Sequence, residues 1–431
     1  MVGGLPQVRP NPGVAEVIDA RAVRTVFQPL VRLADSAVLG YEALSRGPAG
    51  TDWESPAALF AAARRAGRDA ELDWVCRAAA YRAALAAGLP DNVTLFVNME
   101  PAAWRTPCPP DLVGGMAAGG RLRVVTEMTE RAIADDPAGL LLAAANCRAA
   151  GQGVALDDVG ADPASLALMP FAHPDVVKLD MHLLRRPRER YVAHVVNAVL
   201  AYAESTGATI LAEGIETPEH LEVARTMGAT MGQGWLFGRP GPLPATVAAV
   251  RKPVPLIAAP DTAPPGRRAA TPVELVAAAR PLRRTTKSLL MPISRYLEAK
   301  AGDADEPPVL LACFQDARFF TAATARRFTG LAGSAAFVAA LGVDLPGEPA
   351  PGVRGARLAA GEPLAREWNV IVVGPHFAAA LVAREVGGTG PDAERRFDHT
   401  VTYDRPLVLA AARSLLHWLT PAPSVGPLLT G

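Results

Sequence analysis

The stretch Gly153–Gly160 reads G-V-A-L-D-D-V-G, and it is the part of the chain that decides the fold. An apolar run typical of a buried parallel strand, Val154–Leu156, ends in two adjacent carboxylates, Asp157 and Asp158. Acidic residues beside a glycine are common in turns, so this stretch alone predicts only a strand followed by a turn. Its meaning depends on whether other strands of the chain end in the same way.

The same pattern recurs along the chain, because short apolar runs repeatedly stop at an acid or an amide with helix-forming sequence between them. The further runs are T-L-F-V-N-M-E (Thr94–Glu100), R-V-V-T-E-M-T-E (Arg123–Glu130), V-V-K-L-D (Val176–Asp180) and T-I-L-A-E-G-I-E (Thr209–Glu216). Repeated βα units with a polar residue at each strand end predict a (β/α)8 barrel of the TIM type, whose active sites lie at the carboxyl ends of the strands. A doubly wound open sheet is the alternative, but it would not gather acids from so many strands in one place.

The sequence around these runs predicts the remaining elements of the barrel. Two apolar runs near the start, Val26–Leu33 and Leu39–Arg46, flank a short polar turn and predict a hairpin. A last strand is expected near Met231–Phe237. Predicted helices cover 56–68, 70–87, 137–150, 163–169, 189–206 and 218–227.

The amino-acid composition of the chain changes after Pro240. The stretch Gly241–Thr271 is dominated by Pro and Ala without periodicity, which predicts a semi-rigid linker. A smaller mixed α/β domain is expected beyond it, with helices over 272–297, 322–332, 376–385 and 405–419 and strands over 308–314 and 368–375. The expected organisation is a tail over 1–20, the barrel over 21–245, a linker over 246–271, the second domain over 272–421 and a tail over 422–431. Because the linker is too rich in proline to transmit a rigid helical signal, the second domain is expected to act by docking on the barrel or by setting its dimerisation.

Composition narrows the class of protein and its partners. A length of 431 residues with 50% hydrophobic and 20% charged residues predicts a packed globular protein, either of two domains or of one barrel with an appendage. The formal net charge of zero argues against a broad basic face, so no DNA or RNA partner is expected. No apolar stretch is long enough to cross a bilayer and the cysteines are scattered without metal-ligand spacing. These features predict a cytoplasmic protein that has no membrane partner.

Oxygen donors from the strand ends are expected to converge at one mouth of the barrel. That many carboxylates cannot all stay ionised close together unless protons or cations neutralise them. Neither His nor Cys stands at a strand end, so hard ions such as Mg²⁺ or Mn²⁺ suit the donors better than zinc does. Two such ions about 3.5–4 Å apart can hold a phosphodiester and activate a water. The donors are Glu42, Asn98, Glu127, Glu130, Asp157, Asp158, Asp180, Glu213, Glu216 and Gln233.

One lysine stands among these acids. The basic residues of the chain are arginine except at Lys178, Lys252, Lys287 and Lys300, and only Lys178 lies in a barrel strand. An ammonium is a compact charge, whereas a guanidinium is a wide planar fork. The choice of lysine indicates that an ammonium is required at this strand end.

A set of short motifs runs along residues 26–240. They are F-Q-P (Phe27–Pro29), E-A-L (Glu42–Leu44) with Arg46, V-N (Val97–Asn98), E-M-T-E (Glu127–Glu130), D-D-V-G (Asp157–Gly160), K-L-D (Lys178–Asp180), A-E-G-I-E-T (Ala212–Thr217) and Q-G-W-L-F-G-R-P (Gln233–Pro240). With these motifs the chain resembles the EAL-domain cyclic-di-GMP phosphodiesterases. The resemblance implies hydrolysis of cyclic di-GMP to linear pGpG by a homodimer that uses two Mg²⁺ or Mn²⁺ ions.

The resemblance also implies a role for each residue of the site. Glu213 would be a carboxylate of the metal site and the candidate general base, and Lys178 would contact the attacking water. The substrate would be held by Gln28, Arg46 and Gln233. Glu130 would brace the loop after the aspartate pair, and Glu216 would support the metal ligands from behind. The metal ligands would be Glu42, Asn98, Glu127, Asp157, Asp158 and Asp180.

The chain departs from the family in the loop after the aspartate pair. That loop reads V-G-A-D-P-A-S (Val159–Ser165), whereas F-G-T-G followed by serines is usual in the family. Three hypotheses therefore remain open: an active phosphodiesterase, a catalytically weak or inactive receptor that holds cyclic di-GMP, and an interaction scaffold that acts through the C-terminal domain. Retention of the complete acidic set favours the enzyme, because unneutralised acids at a barrel mouth cost stability.

The second domain contains a further set of motifs. They are C-F-Q (Cys313–Gln315), R-R-F (Arg326–Phe328), P-L-A-R-E-W (Pro363–Trp368), G-P-H-F (Gly374–Phe377), A-R-E (Ala383–Glu385) and T-Y-D (Thr402–Asp404). With these motifs the domain resembles the DICT sensory domain, which implies a sensory role with no known chemistry and leaves the ligand or partner unknown.

The histidines of the chain are not expected to bind metal. His173, His182 and His194 have no metal spacing and are expected to be structural, and His376 is expected to start a helix.

Overall fold

The structure is a computed structural model that describes residues 12–129, 134–161, 166–257, 270–302, 306–387 and 391–419. Its first unit is a closed barrel in which eight strands follow one another in chain order. The strand β1 runs antiparallel to both of its neighbours, and the other strands are parallel. The predicted barrel is therefore confirmed. The strands are β1 (Arg24–Arg32), β2 (Val38–Arg46), β3 (Thr94–Asn98), β4 (Arg123–Thr129), β5 (Gly153–Val159), β6 (Val176–Leu179), β7 (Thr209–Ala212) and β8 (Met231–Gly232).

The last barrel strand is shorter than the sequence predicted. Strand β8 ends at Gly232, whereas the apolar pattern suggested that it continues to Phe237. Beyond Gly232 the chain turns to the loop after β7, where the Ile215 backbone N–H donates to Gln233 O at 3.0 Å. Gly234 packs so closely on Ile215 that a side chain on it would overlap the Ile215 backbone. This close approach ends the strand, because the chain follows a loop here and not a neighbouring strand.

Helices surround the barrel, and several begin at residues that cap the free N–H groups of a first turn. The Asp136 side chain accepts from Gly139 N, and the Thr217 side chain accepts from His220 N, each followed by a proline. Part of the helix predicted over 163–169 lies outside the described residues, which lack 162–165, and the structure has a short helix at Met169–Ala172. The helices are α1 (Val14–Asp19), α2 (Pro56–Arg65), α3 (Asp69–Ala86), α4 (Val113–Ala118), α5 (Pro137–Ala149), α6 (Met169–Ala172), α7 (Met181–Arg185), α8 (Arg190–Thr206) and α9 (Pro218–Thr226).

The first part of the predicted linker packs across the end of the barrel opposite the acidic strand ends. Val250 and Val254 are buried at 9% and 0% exposure. The main chain is held by residues that precede or begin barrel strands, since Asn92 Nδ2 donates to Val250 O at 2.7 Å and Arg123 Nη2 donates to Val254 O at 2.6 Å. Residues 247–257 therefore close the amino end of the barrel, and 258–269 lie outside the described residues.

The second unit is a seven-stranded mixed sheet in the order β12-β11-β10-β13-β14-β15-β9, with helices on both faces. This smaller α/β unit was predicted from the sequence. Its strands are β9 (Arg283–Thr286), β10 (Val309–Asp316), β11 (Phe337–Val343), β12 (Arg354–Leu358), β13 (Glu367–Val373), β14 (Ala378–Gly387) and β15 (Arg396–Thr402). Its helices are α10 (Pro272–Ala277), α11 (Lys287–Gly302), α12 (Ala322–Ala332) and α13 (Arg405–Leu416).

Two helix predictions in this unit were wrong. The alanine-rich stretch 376–385 is largely strand β14, and the helix predicted over 272–297 is interrupted by β9. Alanine favours helices by its intrinsic propensity, but Ala379, Ala380 and Ala383 are fully buried between the helix layers on the two faces of the sheet. Small side chains fit this narrow space, so tertiary packing overrides the local preference.

The second unit docks on the side of the barrel. Helix α13 packs against α5 and α6, and one apolar cluster includes Phe171 from the barrel and Leu415 from α13. Polar contacts join the same surfaces, because Arg413 Nη2 donates to Pro170 O at 2.5 Å and Arg354 Nη1 donates to Asp135 O at 3.2 Å. The second unit thus touches the helices that flank β5, the strand that carries the aspartate pair. Within the described ranges, no helix has both the length and the apolarity that a membrane span requires.

Candidate active site

A buried lysine occupies the centre of the acidic mouth. Lys178 on β6 is 0% exposed, and its Nζ lies 2.9 Å from Glu127 Oε1, 2.8 Å from Asp157 Oδ1 and 2.9 Å from Glu213 Oε1. Glu42 Oε1 lies 4.0 Å away. Burial by itself lowers the pKa of this ammonium, but the charges of the surrounding acids outweigh it and raise the pKa well above its ordinary value. Lys178 is therefore a permanent cation shared by carboxylates from four other strand ends.

Two of these acids have raised pKa values in the metal-free protein. Burial raises the pKa of Glu213 to about 8, with the neighbouring carboxylates adding to the effect and Lys178 opposing it. Burial and the charge of Glu42 likewise raise the pKa of Glu127 well above its usual range. One ammonium does not neutralise the whole cluster, so the cluster retains a capacity for additional positive charge.

The contacts of the buried oxygens fit a divalent metal. Both carboxylate oxygens of Glu127 and Oδ1 of Asp157 are buried and lack an aligned hydrogen-bond donor among the described residues, although Lys178 lies close to them. Buried polar atoms are rarely left in this state. Asp157, Asp158 and Glu213 also place carboxylate oxygens within 4.8 Å of one another. An all-oxygen set of this kind suits Mg²⁺, Mn²⁺ or Ca²⁺.

The aspartate pair faces the mouth because β5 is irregular at its end. Successive side chains of a regular strand point to opposite faces, which would send one of two adjacent acids away from the site. The pairing of β5 with β6 shifts between Leu156 and Val159, and Asp158 adopts a left-handed backbone with φ 58°. This bulge turns both Asp157 and Asp158 toward Glu213.

Two amide side chains hold Glu42, and a third amide fixes one of them. Asn98 Nδ2 donates to Glu42 Oε1 at 3.1 Å, and Gln233 Nε2 donates to Glu42 Oε2 at 2.5 Å. Gln233 Nε2 also donates to Gln28 Oε1 at 3.0 Å, and Gln28 Nε2 donates to Gly238 O at 3.1 Å. Burial alone would raise the pKa of Glu42, but Lys178 and the two amide donors bring it below its usual value. Glu42 is therefore ionised, and Gln28 and Gln233 fix its orientation.

Other residues of the predicted site lie beside this cluster. The Oδ1 atom of Asp180 accepts from His182 N at 2.7 Å, so this acid caps α7. Arg185 Nη2 lies 3.6 Å from Glu216 Oε1. Arg46 stands at the end of β2, where its Nη1 donates to Ser45 O at 2.8 Å. Glu130 lies outside the described residues, so its predicted role is not tested.

A cleft beside Glu42 contains polar residues that the sequence analysis missed. It has a volume of about 350 Å³, and its wall includes Glu42, Asn98, Phe60, Arg64 and the buried pair Asp73–Arg77. Asp73 Oδ2 accepts from Arg77 Nε at 2.7 Å, and Asp73 Oδ1 accepts from Glu100 N at 2.8 Å. The available signal was an acid and an arginine four residues apart among the apolar residues of one helix. That helix was interpreted only by its apolar face.

Comparison with family models identifies both parts of the chain. The EAL domain model matches residues 14–240, which is more than half of the chain. The DICT model, described as a sensory domain in diguanylate cyclases and two-component systems, matches residues 273–386. Both domains suspected from the sequence motifs are thus confirmed.

Individual relatives each match about half of this chain. An uncharacterized signaling protein of Caulobacter vibrioides is 32% identical over 51% of this chain and 27% of its own length. The probable cyclic di-GMP phosphodiesterase PdeB of Escherichia coli is 27% identical over 53% of this chain and 45% of its own length. A solved manganese and cy-diGMP complex of Klebsiella pneumoniae BlrP1 is 30% identical, with a TM-score of 0.45, over 55% of this chain and 58% of that chain. The match spans only 27% to 34% of the length of the first three curated relatives.

The family assignment rests on the extent of the EAL match and on the closed barrel whose strand ends carry the matched motifs. The DICT match spans strands β9 to β14 of the second sheet, and β15 lies beyond its end at residue 386. The chain belongs to the EAL domain family and carries a DICT sensory domain in its C-terminal part.

Proposed function

We propose that this chain is a metal-dependent phosphodiesterase that hydrolyses cyclic di-GMP to linear pGpG and is regulated by its C-terminal domain. The observation that carries the proposal is the acidic cluster around Lys178, in which Glu42, Glu127, Asp157 and Glu213 converge from separate strands. The name of PdeB, a relative within the same family, supports the choice of substrate.

The residues of the cluster have different proposed roles in the reaction. Two Mg²⁺ or Mn²⁺ ions would be held by Glu42, Asn98, Glu127, Asp157, Asp158 and Asp180. When bound, such ions neutralise a phosphodiester and lower the pKa of a water. Glu213 is the proposed general base, since its carboxylate lies at the mouth beside the aspartate pair. Lys178 keeps Glu213 in place by its 2.9 Å contact and offers positive charge to the attacking water.

The cleft beside Glu42 is the proposed binding site of one guanine base. Its volume of about 350 Å³ exceeds that of a single base, and it opens next to Glu42 and Asn98. Phe60 offers an aromatic face, and Arg64 offers hydrogen-bond donors. Arg46 at the end of β2 would contact the substrate from the same side. Gln28 and Gln233 position Glu42 in this scheme. The Gln233 amide donates both to the Glu42 carboxylate and to the Gln28 amide oxygen.

The proposal is tested by incubating the purified full chain with cyclic di-GMP and Mg²⁺ or Mn²⁺ and separating the nucleotides by chromatography. Linear pGpG is the expected product. Tight binding of cyclic di-GMP without release of pGpG over hours would favour the receptor hypothesis. If the chain neither binds nor hydrolyses cyclic di-GMP, the scaffold hypothesis remains.

Calcium is expected to bind at the mouth but to support hydrolysis poorly. Ca²⁺ takes longer oxygen distances and more ligands than Mg²⁺, so it would not hold the phosphodiester and the water in the same geometry. Turnover should fall by about tenfold or more when Ca²⁺ replaces Mn²⁺, measured as initial rates at equal ion concentration. Equal turnover with both ions would contradict a tight two-metal arrangement.

The apparent affinity for Mn²⁺ is expected to rise with pH. Below its pKa of about 8 Glu213 holds a proton in the metal-free protein, and the raised pKa of Glu127 acts in the same direction. A metal must displace these protons, so lower pH opposes binding, by about tenfold per pH unit for each proton released. Titration calorimetry in two buffers of different ionisation enthalpy counts the released protons. An affinity that is independent of pH would contradict the protonated state of these acids.

A barrel fragment that ends at Ile257 is expected to fold and to retain altered activity. It keeps Val250 and Val254 at the amino end but loses the docked domain and exposes apolar surface on α5 and α6. The melting temperature should therefore fall by roughly 5 °C or more. A matched fragment ending at Pro240 also loses 247–257 and should be much less stable. Circular dichroism compares the two, and an unfolded longer fragment would show that both units fold as one.

A further inference from the structure

A second cleft lies where the barrel meets the C-terminal domain, apart from the acidic cluster. This seam cleft has a volume of about 450 Å³, within the range of sites for small molecules. The barrel contributes Arg190 and His194 from the first turns of α8. The C-terminal domain contributes Lys300 from the end of α11 and the loop 374–377 between β13 and β14. The cleft therefore exists only while the two domains are docked.

The charges on its wall are predominantly positive. Neither Arg190 nor Lys300 forms an ion pair with any residue in the described ranges. The imidazoles of His194 and His376 also line the cleft, and Glu306 is the one carboxylate among its described lining residues. Glu306 Oε1 lies 3.7 Å from His376 Nε2, so its charge is directed to that histidine. Arg190 and Lys300 come from two different domains to one cleft, and an anion bound there would be attracted by both charges.

The loop that forms one wall is fixed and presents an aromatic side chain. Gly374 N donates to Phe377 O at 2.7 Å, and Arg405 Nη1 donates to Gly374 O at 3.0 Å. Phe377 is 37% exposed and packs edge-on against Tyr403 at 6.2 Å between ring centroids. His376 does not start a helix as the sequence suggested, because it lies in this loop. A preformed wall with an exposed ring suits a ligand that has a flat apolar part.

We propose that the seam cleft binds a small phosphorylated metabolite of up to about mononucleotide size. Arg190 and Lys300 would hold its phosphate, since a guanidinium pairs with phosphate oxygens through two parallel hydrogen bonds and an ammonium adds a point charge. The ring of the ligand would lie against Phe377. The site is distinct from the mouth, where the carboxylates would repel a phosphate in the absence of metal.

The position of the cleft connects it to the aspartate pair. Tyr191 follows Arg190 at the start of α8, and its hydroxyl donates a hydrogen bond to Gly160 O. Gly160 lies two residues after Asp158, and Leu183 and Val195 pack against its Cα. A ligand that draws Arg190 toward Lys300 would therefore act on the helix that supports the turn after Asp158.

The test is calorimetric titration of the full chain in EDTA with pyrophosphate and with adenosine monophosphate as probes. EDTA removes divalent ions, so the acidic mouth does not retain the phosphate. At least one probe is expected to bind with one site per chain. The double variant Arg190→Ala/Lys300→Ala should weaken this binding by about tenfold or more. Phe377→Ala should weaken the binding of adenosine monophosphate and leave the binding of pyrophosphate unchanged.

The matched control is Arg121→Ala, which removes an exposed arginine at the start of β4, near the other end of the barrel. It should bind both probes as the unaltered chain does. Absence of binding by both probes at millimolar concentration would overturn the proposal. An equal loss of binding in the control would also overturn it, because the attraction would then be nonspecific. Full retention of binding in the double variant would overturn it as well. Because no step of the test measures hydrolysis, its outcome is independent of the proposed phosphodiesterase activity.

Discussion

Replacement of Glu42 by alanine is expected to abolish hydrolysis of cyclic di-GMP and to leave the barrel folded. Its buried carboxylate lies 4.0 Å from Lys178 Nζ and has a lowered pKa, and it is one of the proposed metal ligands. Loss of a residue that merely supports a metal ligand already costs 10- to 100-fold in activity, so the loss of the ligand itself should exceed about 100-fold. The stability cost should be only about 1–3 kcal/mol, because the amides of Asn98 and Gln233 lose their acceptor. Product chromatography and circular dichroism measure the two effects.

Two further variants separate charge from shape at this position. Glu42→Gln keeps an acceptor for the neighbouring amides and loses the charge, so it should be about as inactive as Glu42→Ala but more stable. Glu222→Ala removes an exposed acid of α9 without an ion pair in the described structure and should hydrolyse at the unaltered rate. Near-native hydrolysis by Glu42→Ala would rule out the two-metal scheme, since a ligand cannot be dispensable there.

Replacement of Lys178 by methionine is expected to have the largest effect on stability. It leaves Glu42, Glu127, Asp157 and Glu213 without their shared buried cation. Removal of one partner of a buried ion pair typically costs about 3–5 kcal/mol. Hydrolysis should also be lost, because the proposed general base loses its orientation. Thermal unfolding in EDTA and in Mn²⁺ measures the change, and the loss of stability should be smaller with Mn²⁺, which replaces the missing positive charge.

The pH and a matched variant test whether the role of Lys178 is its charge. The acids of the Lys178→Met variant take up protons more readily, so its stability in EDTA should decrease as pH rises, because protonation relieves the repulsion only at low pH. Lys178→Arg keeps the charge but introduces a wider group into a filled site, so we expect only partial recovery. Lys252→Met, at an exposed position, should unfold as the unaltered chain does. Equal destabilisation in EDTA and in Mn²⁺ would assign Lys178 a packing role.

The barrel could be predicted because its signal is local. Each strand is a short apolar run that ends at a polar residue, and the burial of Gly153–Leu156 in β5 follows directly from the apolar run before Asp157. The β-rich C-terminal domain was harder to predict. The alanine-rich sequence of β14 has a helical preference, and only the covering helices on both faces of the sheet make it a strand.

The acids of the site could be named from the sequence, because each stands at the end of a recognisable strand. Their chemical states depend on tertiary structure. Gln28 and Gln233 are 205 residues apart in the chain, yet together they orient Glu42, whose pKa is lowered while that of Glu213 rises to about 8. The bulge that turns Asp158 to the mouth and the seam cleft at Arg190 also require neighbours from distant segments. The sequence by itself determined the fold of the barrel and the identity of its acids, because apolar periodicity acts over a few residues. Only the tertiary structure decided the protonation of those acids and the shape of both clefts, because burial and Coulomb interactions act between residues that folding brings together.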